Sequence, residues 1–202
     1  MTRVKFCGLR TAEDAAAASR LMPDFAGFVL SAGFRRSITE EQAAKVREHL
    51  APGIRTVGVF VDEPLERVVR MLRSGLVDWA QLHGAETDAY IEELKSTAGR
   101  PVIKFFALRT PADAARAGAC PADFVLLDSG TGTGRAFDWT LAQQVKRPFF
   151  LAGGLTANNV AEAIRTCRPY AVDVSSGIET GGVKDFSKMA AFMAAVRKEE
   201  SI

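Results

Sequence analysis

Phe149-Phe150-Leu151-Ala152-Gly153-Gly154-Leu155 and Ala171-Val172-Asp173-Val174-Ser175-Ser176-Gly177 are two short apolar runs, each closing on small residues, with a segment between them that opens at Thr156. A nearly continuous apolar run of this length fits a parallel strand buried on both faces rather than a strand with one wet side. Thr156 is a good helix N-cap, so the unit predicts strand, helix, strand.

Outward from this unit the same alternation covers the chain. Apolar runs occur at Val4–Phe6, Phe25–Leu30, Arg55–Val61, Trp79–Leu82, Val102–Phe106, Phe124–Leu127, Phe149–Ala152 and Ala171–Val174. Helix starts are marked between them: Thr39 with Gln42 suits a capping box, Pro64 and Pro111 suit a first helical turn, and Asp138 and Thr156 suit N-caps. A unit of roughly 25 residues repeated eight times uses the whole chain and leaves no linker or second domain. The expectation is an α/β fold, a single (βα)8 TIM barrel spanning residues 1–202. A doubly wound open sheet is the rival, but no GxGxxG turn follows the first strand.

With 26 basic and 24 acidic residues the net charge is +2, so nothing here provides the cationic face that a nucleic acid requires. Charges at Arg3, Lys5, Arg10, Glu13 and Asp14 interrupt any signal-peptide core, and no apolar run reaches membrane-spanning length. A cytoplasmic protein with a small-molecule partner, and no membrane or nucleic-acid partner, is expected. Cys7, Cys120 and Cys167 lack the paired spacings of a zinc or redox motif; the last two read as small core hydrophobes. His49 and His83 are the only histidines, too few for a multi-histidine metal site, and no metal is expected.

In a closed parallel barrel the chemistry gathers where the strands end. Cys7 follows the first run, Arg35 and Arg36 the second, Asp62 the third, His83 the fourth and Asp128 the sixth. Gly153-Gly154 follow the seventh and Ser175-Ser176-Gly177 the eighth, small residues whose backbone and hydroxyls can hold a phosphate. Asp128, emerging from an apolar strand, suits a general acid, or a loop-orienting cap. Cys7 suits a thiolate favoured by nearby Lys5, or a buried structural cysteine. His83 is open to three roles: base, hydrogen-bond donor or satisfied rim histidine. Arg36 suits a bidentate carboxylate clamp, or a solvated loop. Residues 129–135, Ser-Gly-Thr-Gly-Thr-Gly-Arg, lack the Lys-Ser or Lys-Thr pair of a P-loop and read as a mobile lid.

The order of several blocks is similar to the phosphoribosylanthranilate isomerases of tryptophan biosynthesis. The blocks are Lys5-Phe6-Cys7-Gly8-Leu9, Gly27-Phe28-Val29 with Arg36, Val57-Gly58-Val59-Phe60, Gln81-Leu82-His83-Gly84, Leu127-Asp128 followed by Gly132-Thr133-Gly134-Arg135-Ala136-Phe137-Asp138-Trp139, Leu151 to Leu155 with Asn158-Asn159-Val160, and Val172 to Glu179. The resemblance implies an Amadori rearrangement without a cofactor. It assigns Cys7 as general base, Asp128 as general acid and Arg36 as the holder of the anthranilate carboxylate. Gly153, Gly154, Ser175, Ser176 and Gly177 would hold the phosphate, and Lys5, Gln81, His83 and Asp173 the rest of the substrate, in a monomer or homodimer. Two positions depart from the family pattern. The loop Ser31-Ala32-Gly33-Phe34-Arg35-Arg36-Ser37 lacks the usual residues before the key arginine, so Arg36 is chosen over Arg35 by its place before Ile38, and Arg10 replaces a common threonine. Ribulose-phosphate epimerase would require metal-binding histidines and indoleglycerol-phosphate synthase a lysine–glutamate set beyond Lys5 and Lys104. A non-catalytic sugar-phosphate-binding barrel would have no reason to keep both Cys7 and Asp128.

Overall fold

Each of the eight apolar runs becomes a strand whose ends agree with the sequence reading to within one residue. The computed structural model describes residues 1–128 and 139–199. Its elements are β1 (Arg3–Cys7), α1 (Ala12–Leu21), β2 (Phe25–Val29), α2 (Glu40–Glu48), β3 (Arg55–Phe60), α3 (Leu65–Arg73), β4 (Trp79–Leu82) and α4 (Asp88–Ala98). They continue with β5 (Val102–Ala107), α5 (Pro111–Ala119), β6 (Phe124–Asp128), α6 (Trp139–Ala142), β7 (Phe149–Leu151), α7 (Val160–Cys167) and β8 (Ala171–Val174). A 3-10 turn at Ser176–Ile178, the hairpin β9 (Glu179–Thr180) and β10 (Val183–Lys184), and α8 (Phe186–Glu199) follow. The eight principal strands pair in sequence order, all parallel, and β8 closes on β1. The chain is a (βα)8 barrel.

Successive side chains of a strand point to opposite faces, and closure makes one face the barrel interior. Phe25, Val57, Trp79, Ile103, Leu126, Phe150, Ala152 and Ala171 form the inner cluster. Their strand neighbours, among them Ala26, Ala80, Val125, Leu127, Leu151 and Val172, pack outward against the helices. The inner plug is aromatic: the Phe25 ring centroid lies 5.0 Å from Trp79 and 5.4 Å from Phe150, while Phe124 lies 4.5 Å from Tyr170.

Helix starts follow local chemistry. Thr39 and Gln42 form the expected reciprocal capping box, and Pro111 occupies the first turn of α5. The same box recurs at Thr11 with Asp14 and at Thr110 with Asp113. Two starts differ from expectation. Pro64 stands just outside α3 with an extended ψ of 137°, its carbonyl accepting from Arg67 and Val68. Asn159, not Thr156, is the N-cap of α7, because the Asn159 Oδ1 folds back to accept from the Thr156 N–H at 2.8 Å and makes a separate turn first. Asp138 lies outside the described residues.

Phe150 is fully buried at the centre of the plug, with three aromatic partners besides Phe25. Phe150→Ala should cost about 3–5 kcal/mol in urea unfolding. A loss below about 1 kcal/mol would show that the plug is not what holds the barrel closed.

Candidate active site

The inner register of each strand carries on past the plug to the C-terminal mouth. Two residues beyond Trp79 comes Gln81 and two further His83; beyond Leu126 comes Asp128; beyond Ala171 comes Asp173. Cys7 follows Lys5 in the same way. The strand alternation that buries the apolar core therefore presents these polar groups together, around a cavity of about 400 Å³ lined by Cys7, Arg35, Arg36, Gln81, His83, Asp128, Gly153, Gly154, Asp173, Ser175 and Ser176.

Lys5 is not on that wall. It is completely buried beneath the mouth, its Nζ donating to Asp173 Oδ1 at 2.9 Å from the neighbouring strand β8. Burial alone would push the Lys5 ammonium toward neutrality, but the Asp173 carboxylate and then Cys7 outweigh it and hold its pKa above the ordinary lysine value. A Cβ built on Gly27 would stand 2.9 Å from both Lys5 Nζ and Cys7 Sγ. The absent side chain leaves the room in which ammonium and thiol approach one another.

His83 stacks on Phe105 with centroids 3.9 Å apart, and its Nδ1 faces the Gln81 Nε2 at 3.1 Å. With the Gln81 amide N–H donating, Nδ1 accepts and a neutral ring carries its proton on Nε2. Burial depresses the His83 pKa below 6.5, and the Lys5 and Lys104 charges add to this against the opposing pull of Asp173 and Asp128. Of the three roles open in the sequence, this environment favours the neutral ring and suits that of hydrogen-bond donor. Gln81, almost wholly buried, keeps its Oε1 without a hydrogen-bond partner among the described residues while lining the cavity.

On the flank formed by the β2 loop, Arg36 grips Glu179 with a two-pronged contact, Nε to Oε1 at 2.7 Å and Nη2 to Oε2 at 2.8 Å. Arg35 Nη2 reaches Oε2 at 2.7 Å and Lys184 Nζ reaches Oε1 at 2.9 Å. Burial would raise the Glu179 carboxyl, but the hydrogen bonds and charges of Arg36 and Lys184 bring it down to about 2. Arg36 reaches this position by crossing over Gly8, whose φ of 77° and lack of a Cβ admit the arginine chain. Arg10 takes part as well, its Nη2 donating to the Gly182 carbonyl at 2.8 Å and tying the first loop to the hairpin.

The loops after β7 and β8 meet beside this flank, where Lys184 Nζ also donates to the Ser175 carbonyl at 3.1 Å. Gly177 does not line the cavity: a Cβ there would collide with the Leu155 carbonyl oxygen, so this glycine permits the two loops to touch. Gly154 faces open space, and the Ser175 Oγ donates to the Cys7 carbonyl at 3.0 Å, joining the loop after β8 to the end of β1. Asp62 orients a neighbouring loop, accepting from the Ala85 N–H at 2.6 Å. Cys120 and Cys167 are buried and form no disulfide. The expected lid, residues 129–135, lies outside the described residues. Among those described, no three His, Cys, Asp or Glu side chains converge as a metal site would require, and no helix is long and apolar enough to cross a membrane.

Glu179, Lys184 and Phe34, whose half-exposed ring stands at the cavity, were not singled out in the sequence. A signal for the first two exists: Gly181-Gly182, with φ of 59° and 84°, supply the paired positive φ of a two-residue hairpin turn, which places Lys184 directly opposite Glu179.

Residues 4–195 match the family model described as N-(5'phosphoribosyl)anthranilate (PRA) isomerase. The N-(5'-phosphoribosyl)anthranilate isomerase of Caldanaerobacter subterraneus subsp. tengcongensis is 45% identical over 98% of each chain. The crystal structure of phosphoribosyl anthranilate isomerase from Thermus thermophilus superimposes with a TM-score of 0.87 at 39% identity, covering 98% of this chain and 99% of that one. A phosphoribosyl anthranilate isomerase in complex with reduced 1-(o-carboxyphenylamino)-1-deoxyribulose 5-phosphate gives a TM-score of 0.87 at 33% identity, over 98% of this chain and 100% of that one.

Nitrogen-15 and proton NMR of the imidazoles should find His83 as the Nε2–H tautomer, titrating below 6.5. Because the unfolded histidine takes up its proton first, the stability tied to neutral His83 is complete above about 6.5 and is lost as pH falls toward the folded value. An Nδ1–H tautomer, or a pKa at or above 6.5, would return His83 to the candidates for the base.

Proposed function

The chain belongs to the N-(5'-phosphoribosyl)anthranilate isomerase family, aldose–ketose isomerases of tryptophan biosynthesis, and from that premise we propose that Cys7 and Asp128 carry the two proton transfers of its reaction. Asp128 protonates the ring oxygen of N-(5-phosphoribosyl)anthranilate and the furanose opens to an iminium. Cys7, as thiolate, removes the proton from the adjacent sugar carbon. The electrons of that C–H bond pass to the iminium nitrogen, giving an enolamine that tautomerises to the ketone of 1-(2-carboxyphenylamino)-1-deoxyribulose 5-phosphate. The nitrogen is the electron sink, so positioned acid and base suffice for the proton transfers.

The observation that carries this reading is that Cys7 and Asp128 line one cavity together with groups suited to both ends of the substrate. Gly153, Gly154, Ser175 and Ser176 receive the phosphate, drawn together by the Gly177 contact. Arg36, on the same cavity, takes the anthranilate carboxylate. Arg35 is the more exposed of the two arginines, its side chain 58% accessible against 22%, and stands on the outer rim. Lys5 acts from below as the counter-charge of the Cys7 thiolate, held in place by Asp173. His83 donates from Nε2 and Gln81 accepts through Oε1 on the cavity wall. The soluble sugar-phosphate chemistry fits a cytoplasmic setting.

Following the loss of anthranilate fluorescence in single turnovers, Cys7→Ser and Asp128→Asn should each fall by about a thousandfold or more, equivalent to about 4 kcal/mol of lost transition-state stabilisation. Circular dichroism should show an intact barrel in both. If Cys7→Ser turns over within about tenfold of the parent, about 1.4 kcal/mol, Cys7 is not the base.

Gly154 has a positive φ and open space where a side chain would project, and Asp tolerates that backbone better than most residues. Gly154→Asp should therefore fold yet set a carboxylate against the phosphate, raising KM by about a hundredfold through like-charge repulsion with little change in kcat. Normal KM in this variant would move the phosphate site elsewhere.

A further inference from the structure

We propose that Glu179 is a positioning residue for the carboxylate-binding arginine, gripping Arg36 by one edge of its guanidinium so that the other edge is presented to the substrate; this rests on the role given to Arg36 above. Guanidinium offers five N–H donors in a flat fork. Glu179 takes the Nε and Nη2 edge through both of its carboxylate oxygens. No hydrogen bond to Nη1 is made among the described residues, and Arg36 lines the cavity. The terminal edge, with hydrogens on Nη1 and Nη2, is the part left for a second bidentate carboxylate.

Glu179 is itself immobilised. Lys184 holds Oε1 from the opposite strand of the hairpin, Arg35 holds Oε2, and Lys188 Nζ donates to the Glu179 main-chain carbonyl at 2.7 Å. Its side chain is only 5% accessible. With these partners on both oxygens Glu179 stays where it is when ligand arrives, and a flexible four-bond arginine side chain becomes a fixed receptor. Three cations around one carboxylate also leave the flank with surplus positive charge, which suits an anionic ligand group.

The test compares two substrates, N-(5-phosphoribosyl)anthranilate and the counterpart made with aniline, which lacks only the carboxylate. Glu179→Gln should raise KM for the anthranilate substrate about tenfold or more, as expected for losing uniform binding, with kcat within about threefold and the aniline counterpart unaffected. Glu179→Asp, which keeps the charge but shortens the reach, should lie between parent and Gln and guards against misfolding of the neutral variant. In an Arg36→Met background, Glu179→Gln should add no further loss. Equal damage to both substrates, or losses that simply add in the double variant, would make Glu179 a general structural residue and overturn the proposal. If Arg36→Met itself leaves the preference for the carboxylated substrate unchanged, the role of Arg36 fails first, and the proposal with it.

Discussion

Closure of the eight strands is the constraint on which everything else in this molecule depends. Once β8 pairs with β1, each strand has a single inner face, and residues two apart along a strand must share it. A plug of Phe25, Trp79, Phe150 and their neighbours fills the lower layers of that face. Whatever stands one or two inner positions further on is then delivered to the mouth. Cys7, Gln81, His83, Asp128 and Asp173 need no loop acrobatics to meet; a one-residue slip of any strand would exchange its cavity-lining group for an outward-facing core residue. The same packing that stabilises the barrel sets the angular spacing of the chemistry.

Much of this was legible in the sequence because it is local. Continuous apolar runs gave the strands, and Thr39 with Gln42 and Pro111 gave true helix starts. Pro64 and Thr156 misled because a residue suited to a helix start is equally suited to the turn before one, and the choice was made by bonds with residues a few positions on, from Arg67 and Val68 to Pro64 and from Thr156 to Asn159. Among the cavity-lining residues, Cys7, Arg36, His83, Asp128, Gly153 and Gly154 stand out in the sequence because each closes an apolar run or lies in the loop that follows one. Lys5 and Gly177 belong to the site region in another sense than expected, one as a charge below the floor and the other as a point of loop contact. Burial depth and loop-to-loop approach are tertiary properties that no short window of sequence contains. Glu179 escaped for a related reason: its importance lies in Arg35 and Arg36, more than 140 positions away.

The neutral tautomer of His83 illustrates how a site decides between roles that residue type leaves open. An imidazole near a proton-transfer centre invites the part of base. Stacking on Phe105, a donated N–H from Gln81 and two buried lysines all act against a second proton. A ring so arranged favours its neutral form, and under the proposed mechanism that leaves the proton transfers to Cys7 and Asp128.

The two paired carboxylates present a physical puzzle that the charge balance resolves. The site proposed for a phosphate and a carboxylate gains attraction from every cation, so Asp173 and Glu179 at first sight work against binding. Long cationic side chains, however, lose rotamer freedom when they are pinned by a ligand, a cost of about 1–2 kcal/mol each. Pairing Arg36 with Glu179 moves that cost into folding, before substrate arrives. The pairs do not cancel the field: Arg35, Arg36 and Lys184 share one carboxylate, and Lys5 retains influence on Cys7 while bound to Asp173. Each acid therefore subtracts part of a charge and fixes its direction. For a reaction in which one proton is given to an oxygen and another is taken from a carbon, direction is the scarcer quantity, since misplacing either group by an ångström costs more rate than a partly screened charge can return.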